Sequence, residues 1–254
     1  MFDISHHQMD RNGIPILSAS ELENIGDALI KDFCPEVISK PQEVDIEAFS
    51  ELYMGFKQDF QYLSHSGFIM GMMVYDDTDF IPVYNPQKNE AEYVHADKGT
   101  VIIDSMLLEK NQEHRYRFTL SQEAAGHGVL HRSLFEKNEN DSESWSNAHH
   151  WLQCTNKTVQ AGKSVAGEKS SIDWMEWQAN SLASAVLMPR LSIGNALKKF
   201  DTFKLCDSEF AYCAVSYISQ LFNVSEQAAL IRLQKLGYIT SEQGNSVSAM
   251  FKIF

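Results

Sequence analysis

The stretch Arg117-Phe118-Thr119-Leu120-Ser121-Gln122-Glu123-Ala124-Ala125-Gly126-His127-Gly128-Val129-Leu130-His131 constrains this chain more than any other. In a His-Glu-x-x-His helix, two histidines at i and i+4 share a face and can grip Zn²⁺. The glutamate beside the first can then act as a general base. Here Gln122 stands where the first histidine belongs, and His127 follows five residues later instead of four. The pattern reads as a metal-binding helix with one ligand changed and one residue, Ala124 or Ala125, inserted.

Three registers follow from that spacing. A helix turns about 100° per residue, so positions five apart diverge by roughly 140°. A π-type wide turn at Ala124-Ala125 would return Gln122 and His127 to one face and leave Glu123 as the base. A regular helix would instead pair Glu123 with His127 as ligands, with Ala124 in the base position. In the third register His127 and His131 pair as ligands, and Gly128 falls in the base position. Only the wide turn keeps a proton acceptor. Residue type also matters, because a glutamine carbonyl is a poorer Zn²⁺ ligand than imidazole.

Bulk properties narrow the setting. The chain has 254 residues, 44% hydrophobic and 22% charged, ordinary for a globular protein with a sizeable core. Its net charge of −13 argues against nucleic acid or an anionic membrane as the main partner. No apolar run is long enough to span a bilayer. Met1-Phe2-Asp3-Ile4-Ser5-His6-His7 lacks the form of a signal peptide. Cys34, Cys154, Cys206 and Cys213 are scattered, as suits reduced thiols in a cytoplasmic protein. The neighbouring pairs His6-His7 and His149-His150 read as surface histidines, since adjacent residues do not face one another on a helix.

Along the chain, Ser20-Glu21-Leu22-Glu23 has the form of a capping box, with Leu22, Ile25, Leu29 and Ile30 at helical spacing. Pro35 ends that helix. Ile46, Phe49, Leu52 and Tyr53 mark a second amphipathic segment closed by Gly55. Phe68–Tyr75 reads as a strand, Asp76–Asp79 as a turn, Phe80–Tyr84 as a returning strand and Gly99–Asp104 as another, giving a small antiparallel sheet before the motif helix. The polar residues 136–170 read as a long loop. Helix returns at Asp173–Met188 and stops at Pro189, with Trp174, Trp177, Leu182, Val186 and Leu187 as core. Two short helices follow, Val215–Phe222 and Ser225–Gly237, with Ser225 as N-cap and Gly237 as C-cap. They have the outline of a helix-turn-helix. Arg232 and Lys235 alone, against Glu226, make a thin phosphate-binding face, so packing or partner docking is the expected role.

Arg117-Phe118-Thr119-Leu120 leads into Glu123 and His127, and Glu176-Trp177-Gln178-Ala179-Asn180 runs on to Leu187-Met188-Pro189. In this order the motifs resemble the ImmA/IrrE family of bacterial metallo-endopeptidases. That family has a Phe-Thr-Leu-x-His-Glu-x-Gly-His helix, then a Glu-x-x-Ala-Asn helix ending in Leu-Leu-Met-Pro. The resemblance covers residues 40–240. It implies an α+β, zincin-like fold, mostly helical with the small antiparallel sheet ahead of the motif helix. A helical extension over residues 1–40, a metallopeptidase-like domain over 41–200 and a helical segment over 201–254 packed on it are the expected organisation. The resemblance further implies a cytoplasmic zinc peptidase acting on a protein such as a repressor. It assigns His127 as the second histidine ligand of Zn²⁺ and Glu176 as the third ligand, puts Gln122, a weaker donor, in the place of the first histidine, and makes Glu123 the catalytic base. His131 matches a family position that packs or hydrogen-bonds, and stays an alternative ligand in the third register. Asn180, four residues after Glu176 and on the same face, could orient it or bind a neighbouring helix. The alternative function is an inactive relative that binds a regulatory protein without cutting it.

Overall fold

A computed structural model of the chain describes residues 8–135, 151–155, 170–199 and 208–251. His6, His7, His149, His150, Cys206 and most of the polar 136–170 segment lie outside the described residues. The fold is α+β. The chain divides into two compact units, Met1–Ile25 with Asp45–Ala183, and Gly26–Val44 with Ser184–Phe254. Two helices, Ala19–Phe33 and Ser171–Leu187, begin in the first and end in the second.

The first unit is built on a four-stranded sheet in the order β1-β5-β2-β6. Its strands are β1 (Lys57–Gln61), β2 (Ile69–Val74), β5 (Thr100–Asp104) and β6 (Trp151–Thr155). The central strands, Ile-Met-Gly-Met-Met-Val and Thr-Val-Ile-Ile-Asp, are almost wholly buried, as strands covered on both faces must be. A separate hairpin of β3 (Thr78–Asn85) and β4 (Glu90–Ala96) closes one face. Its Ile81, Val83 and Ala96 pack with Met72, Val74 and Ile102. Strand alternation sends Gly71 to the opposite face, where it meets Thr119 and Glu123 of the motif helix.

This corrects the expected sheet in three ways. It is mixed, because β1 and β5 run parallel. Phe80–Tyr84 does not return onto β2 but pairs with β4, a strand whose exposed, charged residues hid it in the sequence. The sheet is also not complete before the motif helix: β6, from within the expected long loop, pairs antiparallel with β2. Strand partners are chosen by distant burial, which local pattern does not report.

Helix starts are set by reciprocal caps. The first helix is capped by Ser18, not Ser20. Ser18 accepts from the Glu21 amide at 3.2 Å, and Glu21 accepts from the Ser18 amide at 2.7 Å. Ser170 and Asp173 make the same arrangement before Ser171–Leu187. The expected amphipathic segment near residue 50 is a helical turn, Ile46–Ala48, continuing into a π turn, Phe49–Tyr53. Ile46 and Phe49 are buried, but Leu52 is 83% exposed, because the wider turn carries it off their face.

In the second unit, Ser192 Oγ donates to the Val37 carbonyl and Asn195 Nδ2 to that of Ile38. Arg190 pairs with Asp27 at 2.7 Å. The helices Ser208–Phe222 and Glu226–Lys235 are joined by a third, Ser241–Met250, opened by a Thr240/Gln243 capping box. Ser225 caps the second as expected, accepting from the Ala228 amide. Arg232 is buried and donates from Nε to the Met188 carbonyl, so it contributes to packing and not to a basic surface. Cys34 and Cys213 are free thiols. Burial pushes the Cys34 thiol up to about 11. Among the described residues no helix is long and apolar enough to cross a membrane.

Candidate metal centre

The motif helix is α-helical over Glu113–Ser121, widens into a π turn over Gln122–His127 and resumes α geometry at Gly128–Leu130. The inserted alanine is thus absorbed in one turn, and all six residues of that turn are buried. The turn lies against the Ser171–Leu187 helix. A Cβ on Gly126 would come within 2.7 Å of the Ala179 Cα, so only glycine permits the approach. Ser121 Oγ also donates to the Ala183 carbonyl.

Residues from the two helices meet there. Gln122 Nε2 donates to Glu176 Oε2 at 2.8 Å. His127 Nε2 lies 3.4 Å from Glu176 Oε1. The other carboxylates and histidines of the motif are equally buried: Glu123, His127 and His131 have no exposed surface, and Glu176 is 4% exposed. His127 Nδ1 is 3.0 Å from His131 Nδ1, and His131 Nε2 is 3.0 Å from Gln178 Oε1. Both His131 nitrogens are therefore engaged away from Glu176. Gln178 in turn donates from Nε2 to the Pro15 carbonyl. Asn180 is half-buried one turn beyond Glu176.

The electrostatics follow from burial. Glu123 is held well above the usual carboxylate range, first by loss of solvent and then by the Glu176 charge. Burial lowers His131 to about 3, helped by His127 and opposed by its Gln178 hydrogen bond. Tyr75 is buried within electrostatic reach of the two carboxyls. Its phenol is raised well above its ordinary value by burial, then by Glu123 and Glu176. Its ring stacks on Phe135, with centroids 4.5 Å apart. Tyr75, Gln178 and Pro15 belong to this neighbourhood although no sequence motif marks them. Strand parity was the available signal for Tyr75, since residues 71, 73 and 75 alternate onto one face. A backbone carbonyl such as that of Pro15 leaves no trace in side-chain pattern. Trp174 and Trp177, expected as core, stack on each other half-buried, with centroids 4.6 Å apart.

Several buried polar atoms here have no hydrogen-bond partner: His127 Nε2, Glu176 Oε1 and both Glu123 oxygens. Buried acceptors converging without donors are chemically suited to a cation. Among the described residues no three His, Cys, Asp or Glu side chains form a metal cluster by themselves. A third donor must then come from another residue type; Gln122 is the neighbour in place, and since its NH₂ now faces Glu176, its carbonyl oxygen would have to turn inward to ligate. The residues fit a divalent ion, with two strong donors and one weak one. Comparison of the sequence with models of known protein families gave no match, and comparison with curated proteins gave none.

Proposed function

We propose that this chain is a zinc-dependent peptidase of the ImmA/IrrE type with a zincin-like fold, acting in the cytoplasm on a protein substrate such as a repressor. The observation that carries the reading is the wide turn, which sets Gln122 and His127 together against Glu176 and leaves Glu123 beside them. His127, Glu176 and, weakly, Gln122 would hold the metal. Zinc bound there would supply a Lewis acid able to activate water and polarise a scissile carbonyl. Glu123 accepts the proton and returns it to the leaving amine. A cation alongside would offset the burial and the Glu176 charge that raise the Glu123 carboxyl. Asn180 remains a candidate for orienting Glu176.

Metal analysis of protein purified without added zinc tests this, with about one Zn²⁺ per chain expected. His127→Ala and Glu176→Ala should each abolish binding. Glu123→Gln should keep the metal and lose hydrolysis of a protein substrate. Loss of zinc from well-folded Glu123→Gln protein would make Glu123 a ligand and overturn its role as base. A second reading, an inactive relative that binds its partner uncut, is favoured by one contact. The Gln122 amide already gives Glu176 a hydrogen bond where a metal would otherwise sit. Protein that takes up no zinc would establish that reading.

A further inference from the structure

Four groups in the first unit form a continuous hydrogen-bonded line, and its direction can be worked out from one end. A backbone carbonyl only accepts, so Gln178 must turn its NH₂ to Pro15. Its Oε1 is then what faces His131 Nε2 at 3.0 Å, and that nitrogen must carry a hydrogen. His131 is fully buried, with His127 and Gln178 as its polar neighbours, and a neutral ring with hydrogen on Nε2 has a bare Nδ1. That bare Nδ1 lies 3.0 Å from His127 Nδ1. Two lone pairs at that distance would repel, so the hydrogen between them belongs to His127.

We propose that His131 and Gln178, anchored on the Pro15 carbonyl, are positioning residues that keep a hydrogen on His127 Nδ1 and so leave Nε2 as the nitrogen presented to a metal. The proposal rests on the reading of His127 as a ligand. It adds what selects the nitrogen and fixes the ring. Ligating histidines generally donate their other ring N–H to an acceptor that sets their orientation. Here the acceptor is a second histidine, itself oriented by a glutamine and a main-chain carbonyl. The segment supplying that carbonyl is tied down on its own terms. Asp10 accepts from the Asn12 and Ile14 amides, and Asn12 Nδ2 donates to Ser171 Oγ at 2.7 Å.

The experiment has two arms. Long-range ¹⁵N–¹H NMR of the metal-free, full-length protein labelled in histidine reads the ring hydrogens directly. The expected result is hydrogen on Nε2 of His131 and on Nδ1 of His127. Hydrogen on Nε2 alone of His127 overturns the proposal, whatever the protein does with zinc. The second arm titrates zinc against a chelator. His131→Phe and Gln178→Leu should weaken zinc by about ten- to a hundredfold. His131→Gln, whose amide can both accept from His127 and donate to Gln178, should recover most of that loss. Wild-type zinc affinity in folded His131→Phe protein overturns the proposal. If wild type shows the expected ring hydrogens and binds no zinc, the relay stands and the peptidase reading falls.

Discussion

Phe49–Tyr53 and Gln122–His127 are both π turns in the same unit, but they hold very different residues. The first is led in by Asp45, whose side chain caps the preceding helical turn. It buries Phe49 and Ser50 but leaves Glu51 and Leu52 exposed, and the chain turns away at Gly55 with φ +72°. The second is buried throughout, and its polar side chains meet a carboxylate from another helix. A wide turn is often taken as a mark of function. This pair shows that the widening alone only shifts side chains around the axis. A candidate site arises where the shifted residues are polar, buried and met by a partner.

The largest effect should come from undoing the second turn. Deleting Ala124 while replacing Gln122 with histidine gives His-Glu-Ala-Gly-His at regular spacing. If the π turn only stores the extra residue, both flanks stay in place. Zinc measured by chelator competition should then bind about a hundredfold tighter than in wild type, about 2.7 kcal/mol. Weaker binding than Gln122→His alone would show that the wide turn itself shapes the donor set.

Next in size is Gly126→Ala. Alanine normally stabilises a helix interior by roughly 0.5–1 kcal/mol over glycine. Here the added Cβ would press on the Ala179 backbone, so denaturant melts should show a loss of about 1–3 kcal/mol. A gain in stability would mean that the two helices have room to part.

Glu123→Gln comes third. A carboxyl whose folded value is raised above the ordinary 4.5 binds its proton more tightly in the folded chain than in the unfolded one. Its contribution to stability is therefore full below about pH 4.5 and is lost as pH rises through the folded value. In metal-free protein, Glu123→Gln should flatten that decline and raise stability at pH 7 by about 1 kcal/mol. A steeper decline would contradict the burial of the charge. Smallest of all, Leu52→Ala in the exposed turn should shift the melting free energy by less than about 0.5 kcal/mol. A larger loss would give the first turn a packing role that its exposure denies.

Much of the candidate site was legible because its signals are local. The five-residue gap between Gln122 and His127 forced a choice among registers, and only one retained a base. Glu176 was found through a second motif on the following helix. What was not legible came from distance or ambiguity. Ser18 and Ser20 each have a glutamate three residues on, so spacing could not choose the cap. β6 sits in polar sequence and becomes a strand by pairing with the apolar β2. Pro15 lies 163 residues from Gln178, and the bond between them uses main chain on one side.

The wide turn at Gln122–His127 also bears on how such a chain can change over generations. In a regular helix, one added codon rotates everything after it by about 100° and scrambles the packed face. In this turn the surplus residue swells one loop of the coil, and the faces on either side keep their partners. Gain and loss of an alanine there would then leave the flanking helix in register, while a change at residue 122 would be felt first at its bond to Glu176. A lineage could therefore pass between a strong metal grip and a weak one by way of intermediates that all fold.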